Sequence, residues 1–275
     1  MKALPAVADT SRITSVFERL LRRQEKALIA YIMAGDPSLE DTEAYVLQLA
    51  GAGADIVELG VPFSDPIADG PVIQQAADRA RRAGTTLKKI LGTVQALRTK
   101  TQIPVVLMIY YNTILKYGEA GLCRDAAQMG VDGLIVPDLP SDEAETLRDA
   151  ARRAGLDIIF LLAPTSTPSR QAAVAKLSQG FIYYVSLTGI TGAQLTDKID
   201  VAKKVREIRR YSKTPVAVGF GIVTPEDARE VARFADGVIV GTALVKIIAG
   251  HGDRTAVCER LHTFTRSLKA ATRAS

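Results

Sequence analysis

Two acidic residues, Glu58 and Asp69, stand where a carboxylate is suited to proton-transfer chemistry. Glu58 lies inside the apolar run 56–60, a pattern typical of a buried strand, and Asp69 follows eleven residues later at the end of a Pro-rich loop. A carboxylate in an apolar strand is unfavourable unless it has a partner or a task. Two carboxylates in different surroundings allow one site to run acid and base chemistry, so we predict that both are catalytic.

Each carboxylate also has a structural alternative. Glu58 would then be one member of a buried ion pair, since ion-pair networks also perturb carboxylates. Asp69 would cap the helix that follows its loop, a role for which aspartate is well suited. Both alternatives stay open at the level of the sequence.

The composition excludes several kinds of protein and site. The chain has 275 residues, of which 47% are hydrophobic and 24% charged, and no apolar run approaches the roughly 20 residues of a membrane span. The N-terminus lacks the apolar stretch of a signal peptide, so we expect a cytoplasmic enzyme. Cys123 and Cys258 are far apart, and His251 and His262 are the only histidines. These counts support neither a disulfide framework, a His triad nor a metal centre.

The charge balance favours a small anionic substrate over a nucleic acid. The formal net charge is +5 and the sequence pI is about 9.2. The basic residues are spread over several amphipathic segments, which is typical of solvated helix faces and not of a basic patch. A mild basic bias also suits a phosphate-bearing substrate.

Eight short apolar runs alternate along the chain with amphipathic segments. The runs cover 27–33, 56–60, 104–109, 133–136, 157–162, 181–186, 216–219 and 237–240. The helical segments cover 39–52, 87–100, 120–129, 143–154, 169–177, 199–211, 225–234 and 256–269, with an extra N-terminal helix at 12–24 across the barrel floor. Apolar strands separated by helices predict a parallel α/β sheet, and eight such units predict a (β/α)8 TIM barrel. We expect one domain over 1–275, with a core of about 11–270.

The carboxyl ends of the strands form the active-site rim of such a barrel. The residues that this rule places on the rim are Tyr31, Glu58, Asp69, Tyr110, Asn112, Pro137, Asp138, Tyr183, Gly219 and Gly241, together with the loop after Ser186. That loop, 186–194, is rich in Gly and Thr and contains no Pro, so it can move over a site. Its alternative is a flexible surface connection.

Glycines at the ends of the last two predicted strands suit an anion. Gly219-Phe-Gly221 follows one strand and Gly241-Thr242-Ala follows the other. Glycines let backbone N–H groups approach a phosphate, and a short helix starting at Thr242 would add its N-terminal dipole. Gly192, in the loop 186–194, is a further candidate donor. These loops are the usual phosphate seat in such barrels, while two tight turns are the simpler alternative.

Several motifs resemble those of one enzyme family. The segment Glu-Leu-Gly-Val-Pro-Phe-Ser-Asp-Pro-Ile-Ala-Asp-Gly-Pro at 58–71 is similar to the signature of the tryptophan synthase alpha subunit. The other motifs, in that family's order, are Tyr-Ile-Met-Ala-Gly-Asp-Pro (31–37), Met-Ile-Tyr-Tyr-Asn (108–112), Pro-Asp-Leu-Pro (137–140), Tyr-Tyr-Val-Ser-Leu-Thr-Gly-Ile-Thr-Gly (183–192) and Gly-Phe-Gly (219–221). The resemblance covers about 11–250.

The resemblance implies retro-aldol cleavage of indole-3-glycerol phosphate to indole and glyceraldehyde 3-phosphate, a lyase reaction of tryptophan biosynthesis. It makes Glu58 the acid and base for the ring carbon and the glycerol hydroxyl, and Asp69 the group that holds the indole N–H. The other implied roles are lining of the site for Tyr110 and Tyr183 and packing against the indole for Tyr31, Met108 and Ile135. The resemblance also implies phosphate binding for Gly192, Gly221, Gly241 and Thr242, and a bond from Thr191 that ties the closed loop to Asp69.

The resemblance also implies a partner and departs from the family pattern at a few positions. It implies an α2β2 heterotetramer with a beta subunit that carries pyridoxal phosphate, with Pro62 and Asp65 at the contact and no cofactor in this chain. The departures are Met33 where Thr is expected, Ile109 where Gly is expected, Thr113 where Pro is expected and Thr242 where Ser is expected. Met33 and Ile109 are expected to lie close to the site.

Three alternatives to this function remain at the level of the sequence. One is another phosphate-binding barrel that acts as an isomerase or synthase on a small sugar phosphate. Another is a non-catalytic module that chiefly activates a beta partner, against which the presence of Glu58 and Asp69 speaks. The third is a stand-alone indole producer that needs no partner.

Overall fold

The computed structural model describes residues 11–185, 195–219, 221–250 and 252–273. Within them, nine parallel strands form one sheet. The strands are β1 (Ala27–Met33), β2 (Ile56–Gly60), β3 (Val105–Met108), β4 (Gly133–Ile135), β5 (Asp157–Ile159), β6 (Leu161–Leu162), β7 (Ile182–Val185), β8 (Val216–Gly219) and β9 (Gly237–Val240).

The sheet closes into a barrel through the chain itself. Its strand order is β5-β4-β3-β2-β1-β9-β8-β7-β6. The two strands at the ends of this order, β5 and β6, are separated in sequence only by Phe160. The predicted strand 157–162 is therefore divided at Phe160: its first part, β5, pairs with β4, and its second part, β6, pairs with β7. The predicted eight-stranded TIM barrel is confirmed, with one of its eight strands divided in two.

Twelve helices lie around and beneath the barrel within the described residues. They are α1 (Arg12–Arg22), α2 (Leu39–Gly51), α3 (Pro71–Arg82), α4 (Leu87–Arg98), α5 (Tyr111–Tyr117), α6 (Glu119–Gln128), α7 (Glu145–Ala154), α8 (Pro168–Leu177), α9 (Leu195–Ile208), α10 (Pro225–Ala232), α11 (Thr242–Ala249) and α12 (Arg254–Arg273). None of these helices is long and apolar enough to cross a membrane. The nine helices given by the hydrophobic pattern are present, with ends that differ by at most four residues.

The hydrophobic pattern missed two helices that follow strands at the rim, α3 and α5. The remaining helix, α11, begins at Thr242, where the sequence analysis placed a short helix after the last strand. The buried face of α3 consists of Ala76, Ala77 and Ala80, so no large apolar side chain marks its fully buried positions in the sequence. Pro71 at its first position and the arginines in its last turn are the signals that favour a helix there. The helix α5 has seven residues, too few for a clear helical period.

Strand alternation divides the core into a barrel interior and an outer layer beneath the helices. Successive side chains of a strand point to opposite faces of the sheet, so every second residue enters the barrel. The helix α1 closes the floor as predicted, and its Phe17 ring lies 5.8 Å from the Phe181 ring, centroid to centroid. The buried residues of this interior are Ile13, Val16, Phe17, Leu20, Ala27, Ile29, Ile56, Val106, Ile135, Ile159, Phe181, Ala217 and Ile239.

Aspartates at the starts of strands tie neighbouring strands together near the floor. In each case the carboxylate accepts the backbone N–H of the first or second residue of the adjacent strand. The bonds run from Leu28 to Asp55 (2.9 Å), from Val105 to Asp132 (2.7 Å) and from Val216 to Asp236 (2.9 Å). The C-terminal helix joins this layer, because the Lys269 ammonium lies 2.7 Å from the Asp55 carboxylate. The floor is thereby fixed, and the opposite rim carries the candidate site.

Candidate active site

Glu58 points into the barrel because of its place in β2. Its neighbours Val57 and Leu59 belong to the outer layer, and Ile56, two residues earlier, belongs to the barrel interior. Alternation then directs Glu58 inward, one level above Ile56 and toward the carboxyl ends of the strands. In the sheet register Glu58 lies beside Tyr31 of β1.

The Glu58 carboxyl is buried and makes no hydrogen bond to the described part of the chain. Its exposed fraction is 0%, and neither carboxyl oxygen has a hydrogen-bond partner among the residues that the structure describes. Burial and, to a smaller extent, the nearby charge of Asp69 raise the pKa of Glu58 to about 8. The carboxyl is therefore protonated at neutral pH. The ion-pair alternative finds no support in the described part of the chain.

Asp69 reaches the same rim from the loop between β2 and α3. The loop folds through tight turns, in which the Ile67 N–H donates to the Asp65 carbonyl (2.9 Å) and the Asp69 N–H donates to the Pro66 carbonyl (3.0 Å). The helix α3 has Gly70 as its N-cap and no side-chain capping bond. Asp69 therefore does not act as the cap of α3, and the capping alternative is wrong.

The two carboxyl groups have different ionisation behaviour. Burial raises the pKa of Asp69 to about 6, and hydrogen bonding from the Tyr110 hydroxyl acts against this rise. At neutral pH Asp69 is thus mostly ionised, while Glu58, with its pKa of about 8, is mostly protonated. One proton donor and one negative charge therefore face the same space, the arrangement expected of an acid–base pair.

Two tyrosines cross the mouth of the barrel. Tyr31 from β1 and Tyr183 from β7 each have a pKa well above the usual value, chiefly because of burial and then because of the carboxylates Asp69 and Glu58. A Cβ atom added at Gly60 would lie 2.2 Å from the Tyr31 hydroxyl, and one added at Gly219 would lie 2.6 Å from the Tyr183 hydroxyl. These two glycines at strand ends make room for neutral phenols above the carboxyl pair.

The apolar candidates occupy different levels of the site. Ile135 is wholly buried in the barrel interior, and Met108 packs between that interior and a small cluster around Tyr31 and α3. Met33 belongs to the same small cluster. Ile109 was expected close to the site but is buried in the outer layer, on the opposite side of the sheet from the carboxyl groups. That part of the prediction is wrong, because position 109 alternates with the inward-facing Met108.

The phosphate candidates lie at the start of α11 and in the neighbouring loop. Gly241 is the N-cap of α11, no side chain caps this helix, and the exposed Thr242 is its first residue. Gly221 lies in the loop after β8 with φ of +44° and open space on its Cβ side. Thr191 and Gly192 lie outside the described residues.

A stacked pair of rings, which the sequence did not reveal, stands beside the carboxyl pair. The Tyr110 and Phe63 rings are 5.0 Å apart with an interplanar angle of 20°. The Tyr110 hydroxyl accepts the backbone N–H of Ala68 at 3.0 Å. No signal in the sequence joins residues 63, 68 and 110, because the contact depends on the path of the loop.

The helix α3, which begins just after Asp69, is anchored at its other end by a partly buried ion pair. Arg79 of α3 binds both carboxylate oxygens of Asp36, through Nε and Nη2, each at 2.7 Å. Asp36 is only 2% exposed and follows β1. A two-point contact of this kind fixes direction as well as distance. It explains why the Gly35-Asp36 turn can hold α3 against the rim.

The surface of the β2–α3 loop is apolar at its tip. Ile67 is 77% exposed, Asp65 is exposed and Pro62 is half-buried. An exposed large apolar side chain on a short rim loop is suited to contact with another protein.

Among the described residues, no group of three or more His, Cys, Asp and Glu side chains is arranged to hold a metal ion.

The chain matches one protein family over almost its whole length. Residues 17–273 match the family described as "Tryptophan synthase alpha chain". A tryptophan synthase alpha chain from Citrifermentans bemidjiense is 54% identical over 259 residues, which cover 94% of this chain and 97% of the relative. One from Geotalea uraniireducens is 51% identical over 265 residues, covering 96% and 98% respectively.

Solved structures agree with this match. The tryptophan synthase subunit alpha of Legionella pneumophila superposes with a TM-score of 0.89 at 37% identity, covering 97% of this chain and 100% of that one. A chain of Mycobacterium tuberculosis tryptophan synthase superposes with a TM-score of 0.88 at 38% identity, covering 96% and 99%. At these identities and coverages the two proteins share family membership with this chain as well as the fold.

The buried Glu58 predicts a pH-dependent stability difference between the native chain and Glu58→Gln. The folded-state pKa of about 8 exceeds the ordinary value of 4.5, so the folded chain binds more protons than the unfolded chain between these values. The stability contributed by neutral Glu58 is complete below pH 4.5 and is lost as the pH rises to about 8. Gln does not ionise, so in urea unfolding the variant should gain on the native chain by up to about 1.4 kcal/mol per pH unit.

The exposed Glu259 on α12 provides the control. Glu259→Gln should show no such change in relative stability between pH 5 and 8. A stability difference between Glu58→Gln and the native chain that is also independent of pH would mean that Glu58 ionises normally in the folded chain.

Proposed function

This chain belongs to the tryptophan synthase alpha chain family, and on that premise we propose that Glu58 and Asp69 carry out its reaction. The family cleaves indole-3-glycerol phosphate to indole and glyceraldehyde 3-phosphate in tryptophan biosynthesis. The observation that carries the proposal is the buried Glu58 carboxyl, which has no hydrogen-bond partner among the described residues and shares the carboxyl-end rim of the barrel with the ionised Asp69.

Glu58 acts first as an acid. Cleavage of the bond between the indole C3 and the glycerol chain requires C3 to receive a proton, because the leaving ring carbon cannot otherwise accept the bonding electrons. A carboxyl with a pKa of about 8 still holds its proton at neutral pH and can donate it. The resulting Glu58 carboxylate then accepts the proton of the glycerol hydroxyl. The C–C bonding pair flows into the ring, the aldehyde forms, and Glu58 regains its starting state.

Asp69 stabilises the positive charge that the ring acquires. Protonation at C3 converts the ring nitrogen to an iminium, whose N–H becomes a strong donor. An ionised carboxylate facing that N–H lowers the energy of the charged state more than that of the neutral substrate. Asp69, with a pKa of about 6, is ionised in the pH range in which Glu58 is still protonated.

The remaining candidates hold the substrate. Tyr31, Met108 and Tyr183 would contact the indole ring, with Ile135 beneath it and Tyr110 at its edge. The phosphate would bind the free N–H groups at the start of α11, near Gly241 and Thr242, and the backbone at Gly221. Gly192, in the segment that follows β7, is proposed to complete this binding, and Thr191 is proposed to tie that segment to Asp69.

The proposal includes a beta partner, because the family is the alpha chain of a two-component enzyme. Pro62, Asp65 and the exposed Ile67 of the β2–α3 loop would contact it, in an α2β2 assembly. Pyridoxal phosphate belongs to the beta chain, and this chain needs no cofactor for the steps above. A cytoplasmic location is part of the proposal, supported by the biosynthetic role of the family.

Substitution of the two carboxylates should abolish turnover while leaving substrate binding in place. Glu58→Gln keeps size and polarity but cannot shuttle a proton, so indole release should fall by at least about 10²–10⁴-fold. Asp69→Asn keeps a polar side chain but removes the charge, and should cost on the order of 10²–10³-fold. Indole release from indole-3-glycerol phosphate measures turnover, and titration with indole-propanol phosphate measures binding.

Asp78→Asn is the matched control, since Asp78 is exposed on α3 nine residues after Asp69. It should retain native turnover. Unchanged turnover in Glu58→Gln would refute its catalytic role. If the native chain released no indole but accepted another sugar phosphate, the isomerase or synthase alternative would replace the proposal.

The proposed partner contact predicts different effects of two equally exposed apolar residues. Ile67 is 77% exposed on the β2–α3 loop, and Leu21 is 78% exposed on α1 at the barrel floor. Ile67→Asp should weaken binding of a beta chain at least tenfold and abolish its stimulation of indole release, because a charge would be buried in an apolar contact. Leu21→Asp should leave both unchanged.

Sedimentation with a purified beta chain and the same indole assay report binding and stimulation together. Equal behaviour of the two variants would show that the β2–α3 loop does not form the contact. A native chain that neither binds the beta chain nor gains activity from it would be a stand-alone indole producer.

A further inference from the structure

We propose that Tyr110 is a positioning residue, whose hydroxyl holds the β2–α3 loop and with it the Asp69 carboxylate in the geometry that the reaction needs. This inference rests on the proposed role of Asp69. It differs from the role that the sequence suggests for Tyr110, in which the ring only lines the substrate pocket. The two roles depend on different atoms of Tyr110: lining the pocket requires the ring, and positioning the loop requires the hydroxyl oxygen.

Tyr110 contacts the loop at both of its ends. Its ring stacks on Phe63, three residues after the end of β2, with 5.0 Å between centroids. Its hydroxyl accepts the N–H of Ala68, the residue directly before Asp69, at 3.0 Å. One side chain thus fixes where the loop leaves the strand and where it delivers the carboxylate. The exposed Ile67 lies between these two attachments.

The backbone that carries Tyr110 is itself fixed. The Ile109 N–H donates to the Ile135 carbonyl at 2.9 Å, which extends the pairing of β3 with β4 by one step. Tyr110 is then the N-cap of α5, and the next N–H, that of Tyr111, donates to an Asp138 carboxylate oxygen at 2.9 Å. Strand pairing on one side and this bond on the other hold the Tyr110 backbone in place. A residue with a fixed backbone is suited to holding the Asp69 loop in place.

The hydroxyl also influences the charge of Asp69. The titratable groups that face Asp69 in the described part of the chain are Glu58 from β2, Tyr31 from β1, Tyr183 from β7 and Tyr110. Burial raises the pKa of Asp69, and hydrogen bonding from Tyr110 lowers it. A donor to the charged form favours ionisation. Loss of the hydroxyl should therefore make Asp69 protonate at higher pH.

Tyr110→Phe separates the two readings, because it keeps the ring and removes only the hydroxyl. We expect kcat for indole release to fall at least tenfold at neutral pH, since small misplacements of catalytic groups have large effects on rate. KM should change little, because the ring contact remains. The acidic limb of the pH–rate profile should move to higher pH, and the basic limb, set by Glu58, should stay near pH 8.

Tyr111→Phe is the matched control. Its hydroxyl, one residue along the chain, donates to Glu119 at 2.9 Å and touches neither Asp69 nor its loop. This variant should keep the native kcat and pH profile. Because the substrate phosphate also titrates near pH 6, the comparison of the two variants removes its contribution. A carbon-13 NMR titration of the Asp69 carboxyl, identified by its absence in Asp69→Asn, measures the same shift without substrate.

The outcomes are distinct. Native kcat and an unshifted Asp69 titration in Tyr110→Phe would overturn the proposal and leave Tyr110 as a lining residue. If circular dichroism shows that Tyr110→Phe is unfolded, Phe63→Leu takes its place, because it removes the stack and keeps the hydroxyl. A severalfold loss of kcat with native KM would then support the proposal, and native kcat would overturn it. If the native chain proves inactive on indole-3-glycerol phosphate, the proposed function fails, and the NMR shift alone decides the role of Tyr110.

Discussion

The burial of the Glu58 carboxyl is the constraint on which the rest of the site depends. A carboxyl inside the barrel, with no hydrogen-bond partner among the described residues, favours its neutral form, so its pKa rises to about 8. The barrel floor, held by Asp55 and Lys269 and plugged by α1, leaves the inward face of β2 closed from below. The fold therefore sets the protonation state of Glu58 before any substrate arrives.

The second carboxylate must then be ionised at a pH at which Glu58 is still neutral. Asp69 meets this requirement because it lies on a loop at the rim and not inside a strand, so that its pKa rises only to about 6. A carboxylate on a loop is held less firmly in position than one in a strand. Two contacts compensate for this: Tyr110 binds the loop, and the Asp36–Arg79 pair holds α3 behind it. These contacts set the position of Asp69, as burial sets the protonation state of Glu58.

The sequence predicted the features that arise from local patterns. Apolar runs that alternate with amphipathic segments predicted the barrel, and a charged residue within such a run singled out Glu58. It did not predict α3, whose buried face is alanine, or the outward direction of Ile109, which depends on the sheet register. The contact between Tyr110 and Ala68 joins residues 42 positions apart, and the lack of a hydrogen-bond partner for Glu58 among the described residues depends on every strand that faces it. Neither of these two features leaves a trace in residue spacing.

The most direct test of this account is the protonation state of Glu58 in the free enzyme. Infrared difference spectra between the native chain and Glu58→Gln, recorded across a pH titration, isolate the carbonyl band of this one carboxyl. The account predicts a protonated carboxylic acid at neutral pH that ionises near pH 8, as the burial of Glu58 implies. A carboxylate band that is already complete at pH 6 would contradict it, because Glu58 could not then donate the proton that the reaction requires.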